Sequence, residues 1–95
     1  MRISEFQKQV IVNAIKNADP DARAWLFGSR ADDSKKGGDI DIGILSGKIG
    51  VAEQTKIKRD ICGKIGEQKI DIVVSKDGEQ AFFKFAVMKG VMLYG

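Results

Sequence analysis

Asp39-Ile40-Asp41-Ile42-Gly43-Ile44-Leu45 alternates acidic or small residues with isoleucine, a period of two that only an extended strand exploits. Ile40, Ile42 and Ile44 predict a face turned to a core. Asp39, Asp41 and Gly43 predict a face left open. Further along, Lys69 to Ser75 repeats the pattern, with Ile70, Ile72 and Val74 on one side and Lys69, Asp71 and Val73 on the other. Ahead of it, Ala22 to Gly28 has an apolar Trp-Leu-Phe centre suited to a first strand, although periodicity alone leaves a buried helical turn open. Gly28-Ser29 would break that segment, and Asp32-Asp33-Ser34-Lys35-Lys36-Gly37-Gly38 has the composition of a loop.

Three helices flank these strands. Ser4 and Gln7 form a capping-box signature, after which Phe6, Val10, Ile11, Ala14 and Ile15 recur at helical spacing to about Asn17. Asp19-Pro20-Asp21 ends that helix. Val51 to about Ile65 carries Ile57, Ile61 and Ile65 at a four-residue repeat, with Gly66 as the stop, and a last helix is expected from about Glu79 to Lys89. Phe82, Phe83 and Phe85 on that helix are read mainly as core. Three rings in four positions cannot share one helix side, so one is expected to face a partner. The tail Val91 to Tyr94 suits packing or an edge strand. The order of elements predicts an α+β fold, a small mixed sheet with helices packed mainly on one face and the acids on the other.

The 95 residues, 43% hydrophobic and 31% charged, suffice for one modest core, so a single domain over residues 1–95 is expected. So small a domain has little chain with which to enclose a substrate. A partner surface is plausible, and homo- or hetero-oligomerisation stays open. Sixteen basic and 13 acidic residues, a net charge of +3, are mixed along the chain without a basic block, so direct nucleic-acid binding is not expected. The chain has no histidine, which removes Ser-His-Asp, Cys-His and histidine-ligated zinc chemistry. The single cysteine, Cys62, cannot form an internal disulfide and reads as a small core residue. Without an apolar leader after Met1 or a run of about 18–20 apolar residues, no membrane association is expected and the cytoplasm is the predicted location.

The chemistry rests on acids beside a glycine turn. Asp39 and Asp41, two residues apart on a strand, have α-carbons roughly 6.5–7 Å apart and lean off the same face. Asp71 can join them if its strand is a neighbour. Three such carboxylates repel, each pair by on the order of 3 kcal/mol at about 5 Å and an effective dielectric near 20. A solvated strand face is the plain alternative for Asp39 and Asp41, and an exposed strand position for Asp71. A divalent cation explains the grouping better, and oxygen ligands favour Mg²⁺ or Mn²⁺ over zinc. Mg²⁺ completes its shell with water and phosphate, which implies a nucleotide. With two ions about 3.5–4 Å apart, one would activate an attacking hydroxyl and the other would hold the triphosphate. Asp39 and Asp41 would bridge both ions, and Asp71 would hold the ion nearer the hydroxyl and accept its proton. Gly28 lets backbone approach phosphate, and Ser29 offers a hydroxyl and an amide as donors. Arg30 divides between a phosphate contact and a surface ion pair. Lys35 and Lys36 read as solvated loop charges.

Taken together, Phe27-Gly28-Ser29-Arg30-Ala31, Asp39-Ile40-Asp41-Ile42 and Lys69-Ile70-Asp71-Ile72-Val73 resemble the DNA polymerase beta nucleotidyltransferase superfamily. The nearest likeness is to its minimal nucleotidyltransferase (MNT) group, and Gly90-Val91-Met92-Leu93-Tyr94 is also similar. Either a Gly-Ser dipeptide or an Asp-x-Asp alone would be a weak signal; the combination is fairly specific. The resemblance implies a polymerase beta-like fold, with Asp39, Asp41 and Asp71 as catalytic and metal residues and Gly28, Ser29 and Arg30 on the nucleotide. It implies transfer of AMP from ATP, with two Mg²⁺ ions, to a tyrosine hydroxyl of a small helical HEPN-type toxin, the chain acting as antitoxin. A non-catalytic antitoxin that works by binding alone is the second expectation. Transfer to a small molecule such as an antibiotic ranks third, because enzymes of that kind carry extra chain for the acceptor. Where many relatives have Arg-Gly and a serine, this chain has Asp32, Asp33 and Gly38, which predicts a weaker hold on nucleotide.

Overall fold

The computed structural model describes residues 3–28 and 39–95. Helix α1 (Glu5–Ala18) begins at the capping box, where the Gln7 N–H donates to Ser4 Oγ at 3.0 Å and the Ser4 N–H donates to Gln7 Oε1 at 2.8 Å. Strands β1 (Arg23–Phe27) and β2 (Ile40–Leu45) follow, then α2 (Val51–Ile65), β3 (Ile70–Ser75), α3 (Ala81–Lys89) and β4 (Val91–Tyr94). The four strands form one mixed sheet in the order β3-β2-β1-β4. β1 pairs antiparallel with both β2 and β4, and β2 pairs parallel with β3. A parallel neighbour requires a crossover, which α2 supplies.

The isoleucine face is buried as the alternation predicts. Ala24, Leu26, Ile40, Ile42, Ile44, Ile70 and Leu93 of the sheet meet Val10, Ile11, Ala14 and Ile15 of α1 and Ile57 and Ile61 of α2 in one cluster. Each large aliphatic side chain taken from water stabilises by about 1.5–3 kcal/mol, so this cluster is the principal source of stability. Phe6 fits the helical spacing but is exposed, since α1 buries its second half rather than its first turn.

Two of the three helices lie on that face, and α3 lies on the other. Trp25 and Phe27 alternate with Ala24 and Leu26 and therefore point away from the main cluster, towards α3. The Trp25 and Phe83 rings meet edge to face with centroids 5.7 Å apart, and Phe27 meets Phe82 in the same way at 5.9 Å. Of the three phenylalanines expected mainly in the core, only Phe83 is buried; Phe82 and Phe85 are each 57% exposed. A helix of nine residues laid on a sheet buries one narrow side, here Phe83 and Ala86. It packs over Gly43, where a β-carbon would come within 3.4 Å of Cε2 of Phe83, a close but ordinary contact. Cys62 is half-buried beside the main cluster. Among the described residues no helix is long and apolar enough to cross a membrane.

Candidate active site

The parallel register of β2 and β3 sets Ile40 against Ile70, Asp41 against Asp71 and Ile42 against Ile72. That register is fixed by the core, for a slip of one residue would turn every isoleucine of one strand to solvent. Its consequence is that Asp41 and Asp71 stand side by side on the face opposite α1 and α2. On the other side of Asp41 lies Phe27, its register partner in β1. The row Phe27, Asp41, Asp71 thus runs across three strands, with Phe82 of α3 forming a wall against Phe27.

Gly28 follows β1 and lies against this row. Its φ is +72°, a conformation that side chains rarely adopt, and a β-carbon there would run into the Asp41 carboxylate. The backbone conformation favours glycine here, and any side chain would displace the Asp41 carboxylate. The expectations for Ser29, Arg30, Asp32, Asp33, Lys35, Lys36 and Gly38 fall outside the described residues.

The third acid is held differently. Asp39 precedes β2 and Lys69 precedes β3, and the Ile40 N–H donates to the Lys69 carbonyl at 3.0 Å, which keeps the two residues adjacent. Lys69 Nζ lies 3.3 Å from Asp39 Oδ2. The structure brings Asp41 and Asp71 side by side, and Asp39, near enough for its charge to act on Asp41, pairs with the Lys69 ammonium. Among the described residues, no three acidic side chains are gathered as a ready metal cluster.

Electrostatics follow from this arrangement. Partial burial first, then the charges of Asp71 and Asp39, raise the Asp41 carboxyl above its ordinary value, and the neighbouring Asp71 side chain favours the protonated form by a hydrogen bond. Lys69 opposes that rise in part. Its own ammonium is held more firmly protonated by the hydrogen bond and charge of Asp39, with Asp71 and Asp41 adding to the effect. A carboxylate pair at odds with its own charge, made of hard oxygen donors and already attended by one cation, fits a divalent ion. Mg²⁺ commonly takes one or two protein carboxylates, a number that Asp41 and Asp71 supply.

Lys69 was not anticipated as part of the site, although Lys69-Ile70-Asp71 beside Asp39-Ile40-Asp41 carries the signal once the strands are known to be in register. Phe27, Phe82 and Gly43 are likewise legible only with α3 in place. An open cleft lined by Asp19, Asp21, Arg23, Ser46, Lys48 and Lys76 lies at the other end of the sheet and includes none of these acids. Asp19 there is buried, accepts a hydrogen bond of 2.5 Å from the Ser46 hydroxyl and stands 4.0 Å from Lys48 Nζ. The Ser46 bond, followed by the Asp21 N–H and the Lys48 charge, keeps its carboxyl below the ordinary value against the opposing effect of burial.

No curated protein matches the chain. The family model described as Polymerase beta, Nucleotidyltransferase matches residues 9–95, nearly the whole chain.

Proposed function

Because the chain belongs to the polymerase beta nucleotidyltransferase family, we propose that it transfers AMP from Mg-ATP, with release of pyrophosphate, to a tyrosine hydroxyl of a small helical HEPN-type partner, and so neutralises a toxin. In this reading residues 1–95 act in the cytoplasm as one minimal nucleotidyltransferase domain. The observation that supports it most is the in-register pair Asp41 and Asp71, with the Asp41 carboxyl raised by partial burial and by its acidic neighbours, and Gly28 lying against it.

Asp41 and Asp71 would hold the metal, with Asp39 as the third carboxylate, and Gly28, Ser29 and Arg30 would face the nucleotide. Magnesium, when bound, supplies charge stabilisation at the phosphate and lowers the pKa of the attacking hydroxyl. Asp71, the more exposed of the pair, would accept the proton that the hydroxyl loses. Gly28 keeps a side chain from filling the space over Asp41.

The test is to incubate the chain with ATP, Mg²⁺ and the product of the adjacent reading frame, then weigh the partner. Gain of whole AMP units, lost in Asp41→Asn, is the expected result. A second reading, neutralisation by binding alone, draws on the exposed Phe82, Phe85 and Met88 of α3. An unmodified partner in a stable complex would favour it. If saturating Mg-ATP leaves the melting temperature unchanged and Asp41→Asn behaves as wild type, the transferase reading fails.

A further inference from the structure

The Asp39–Lys69 pair gives the acid row a cation of its own. Alternation puts Asp39 on the side of Asp41, and Lys69 on the side of Asp71, so the ammonium stands on the carboxylate row rather than on the isoleucine face. It is bound to Asp39 at 3.3 Å and lies within the field of Asp71 and Asp41. Both partners are accessible, the Lys69 side chain 71% and that of Asp39 41% exposed. A four-carbon stem in solvent can swing away without disturbing either strand, and an exposed ion pair of this kind is weak enough to exchange.

We infer that Lys69 is a positioning residue, an internal counter-cation that holds the Asp39 carboxylate beside Asp41 and Asp71 until a divalent ion competes for it. This rests on the reading of Asp41 and Asp71 as the metal site. Asp39 then exchanges ammonium for metal, and the displaced ammonium remains at the rim of the site, where phosphate oxygens would meet it. The acids are in this way kept close together without the full repulsion of three uncompensated charges.

The inference is tested on the isolated chain by titration with Mn²⁺, following free Mn²⁺ by electron paramagnetic resonance, with no turnover required. Lys69→Met is expected to bind Mn²⁺ about two- to fivefold more tightly, the range that loss of a weak exposed ion pair allows. Lys69→Arg, whose planar fork holds a carboxylate at least as well, is expected to show no such gain. Lys84→Met removes an equal charge from α3, where Lys84 pairs with Glu79 at 3.1 Å, and should leave affinity unchanged. In an Asp39→Asn background the Lys69→Met gain should largely vanish, because there is no carboxylate left to release.

Equal or weaker Mn²⁺ binding by Lys69→Met overturns the inference. So does a gain that persists undiminished in Asp39→Asn, since that would be a through-space charge effect alone. Mn²⁺ binding that Asp41→Asn leaves intact would remove the metal-site reading and this inference together. Wild-type binding that needs Asp41 but ignores Lys69 would remove only the inference.

Discussion

Asp41 bears opposed demands. Its carboxyl is raised in the fold, so the native state holds the proton more firmly than the unfolded chain does. The sign follows from linkage: stability falls as pH rises from the unfolded carboxyl value through the higher folded one, then levels off. Asp41→Asn, which imitates the protonated group, should therefore melt higher than wild type at pH 7, and the advantage should disappear at acid pH. Thermal denaturation across pH checks this. The same substitution should reduce nucleotidyl transfer by more than the about 10–100-fold that a change in a metal's outer shell costs. The two outcomes together would mark Asp41 as a residue kept for chemistry rather than for stability. Its candidacy was legible in the sequence through spacing to Gly28 and Asp71, whereas the Lys69 contact required the strand register.

Helix α3 shows how far pattern reading extends within an element. Its residues are apolar on several sides, so periodicity could not say which ring is core; the sheet decides. Phe83 sits over Gly43 and against Trp25. Phe83→Ala should cost about 3–5 kcal/mol, as large aromatic truncations in a packed site do. Phe85→Ser on the exposed side should change stability by no more than about 0.5 kcal/mol. Urea denaturation of both variants tests the assignment, and equal losses would contradict it. By contrast α1, α2, β2 and β3 were readable in advance, since each has one clear apolar side and a marked end such as Ser4 or Gly66.

Asp19 joins parts of the molecule distant in sequence. It closes α1, anchors the turn into β1 through the Asp21 N–H at 3.0 Å, and holds Ser46 at the end of β2. Ser46 in turn accepts from the Lys48 and Ile49 N–H groups ahead of α2. Since its carboxyl is lowered in the fold, its contribution is present above the unfolded carboxyl value and is lost as pH falls through the folded one. Asp19→Ala should lower stability at pH 7 by about 2 kcal/mol, the scale of a buried hydrogen bond to a charged group, and should flatten the acid limb of the stability profile. Denaturant unfolding from pH 2 to 7 measures both. This end of the sheet steadies the molecule, while the opposite end carries the acids.

Alternation and helical spacing were enough to define the strands, the helices and the main core, because burial of one face depends only on the order of apolar residues along a segment. They were also enough to nominate Asp39, Asp41 and Asp71. Which acids stand together was decided by the parallel pairing of β2 with β3, and which acid is neutralised by Lys69 was decided by the same pairing. The side on which α3 covers the sheet goes with the packing of Phe83 on Trp25 and of Phe82 on Phe27. These are contacts between segments remote in sequence, and no local period encodes the distance between them.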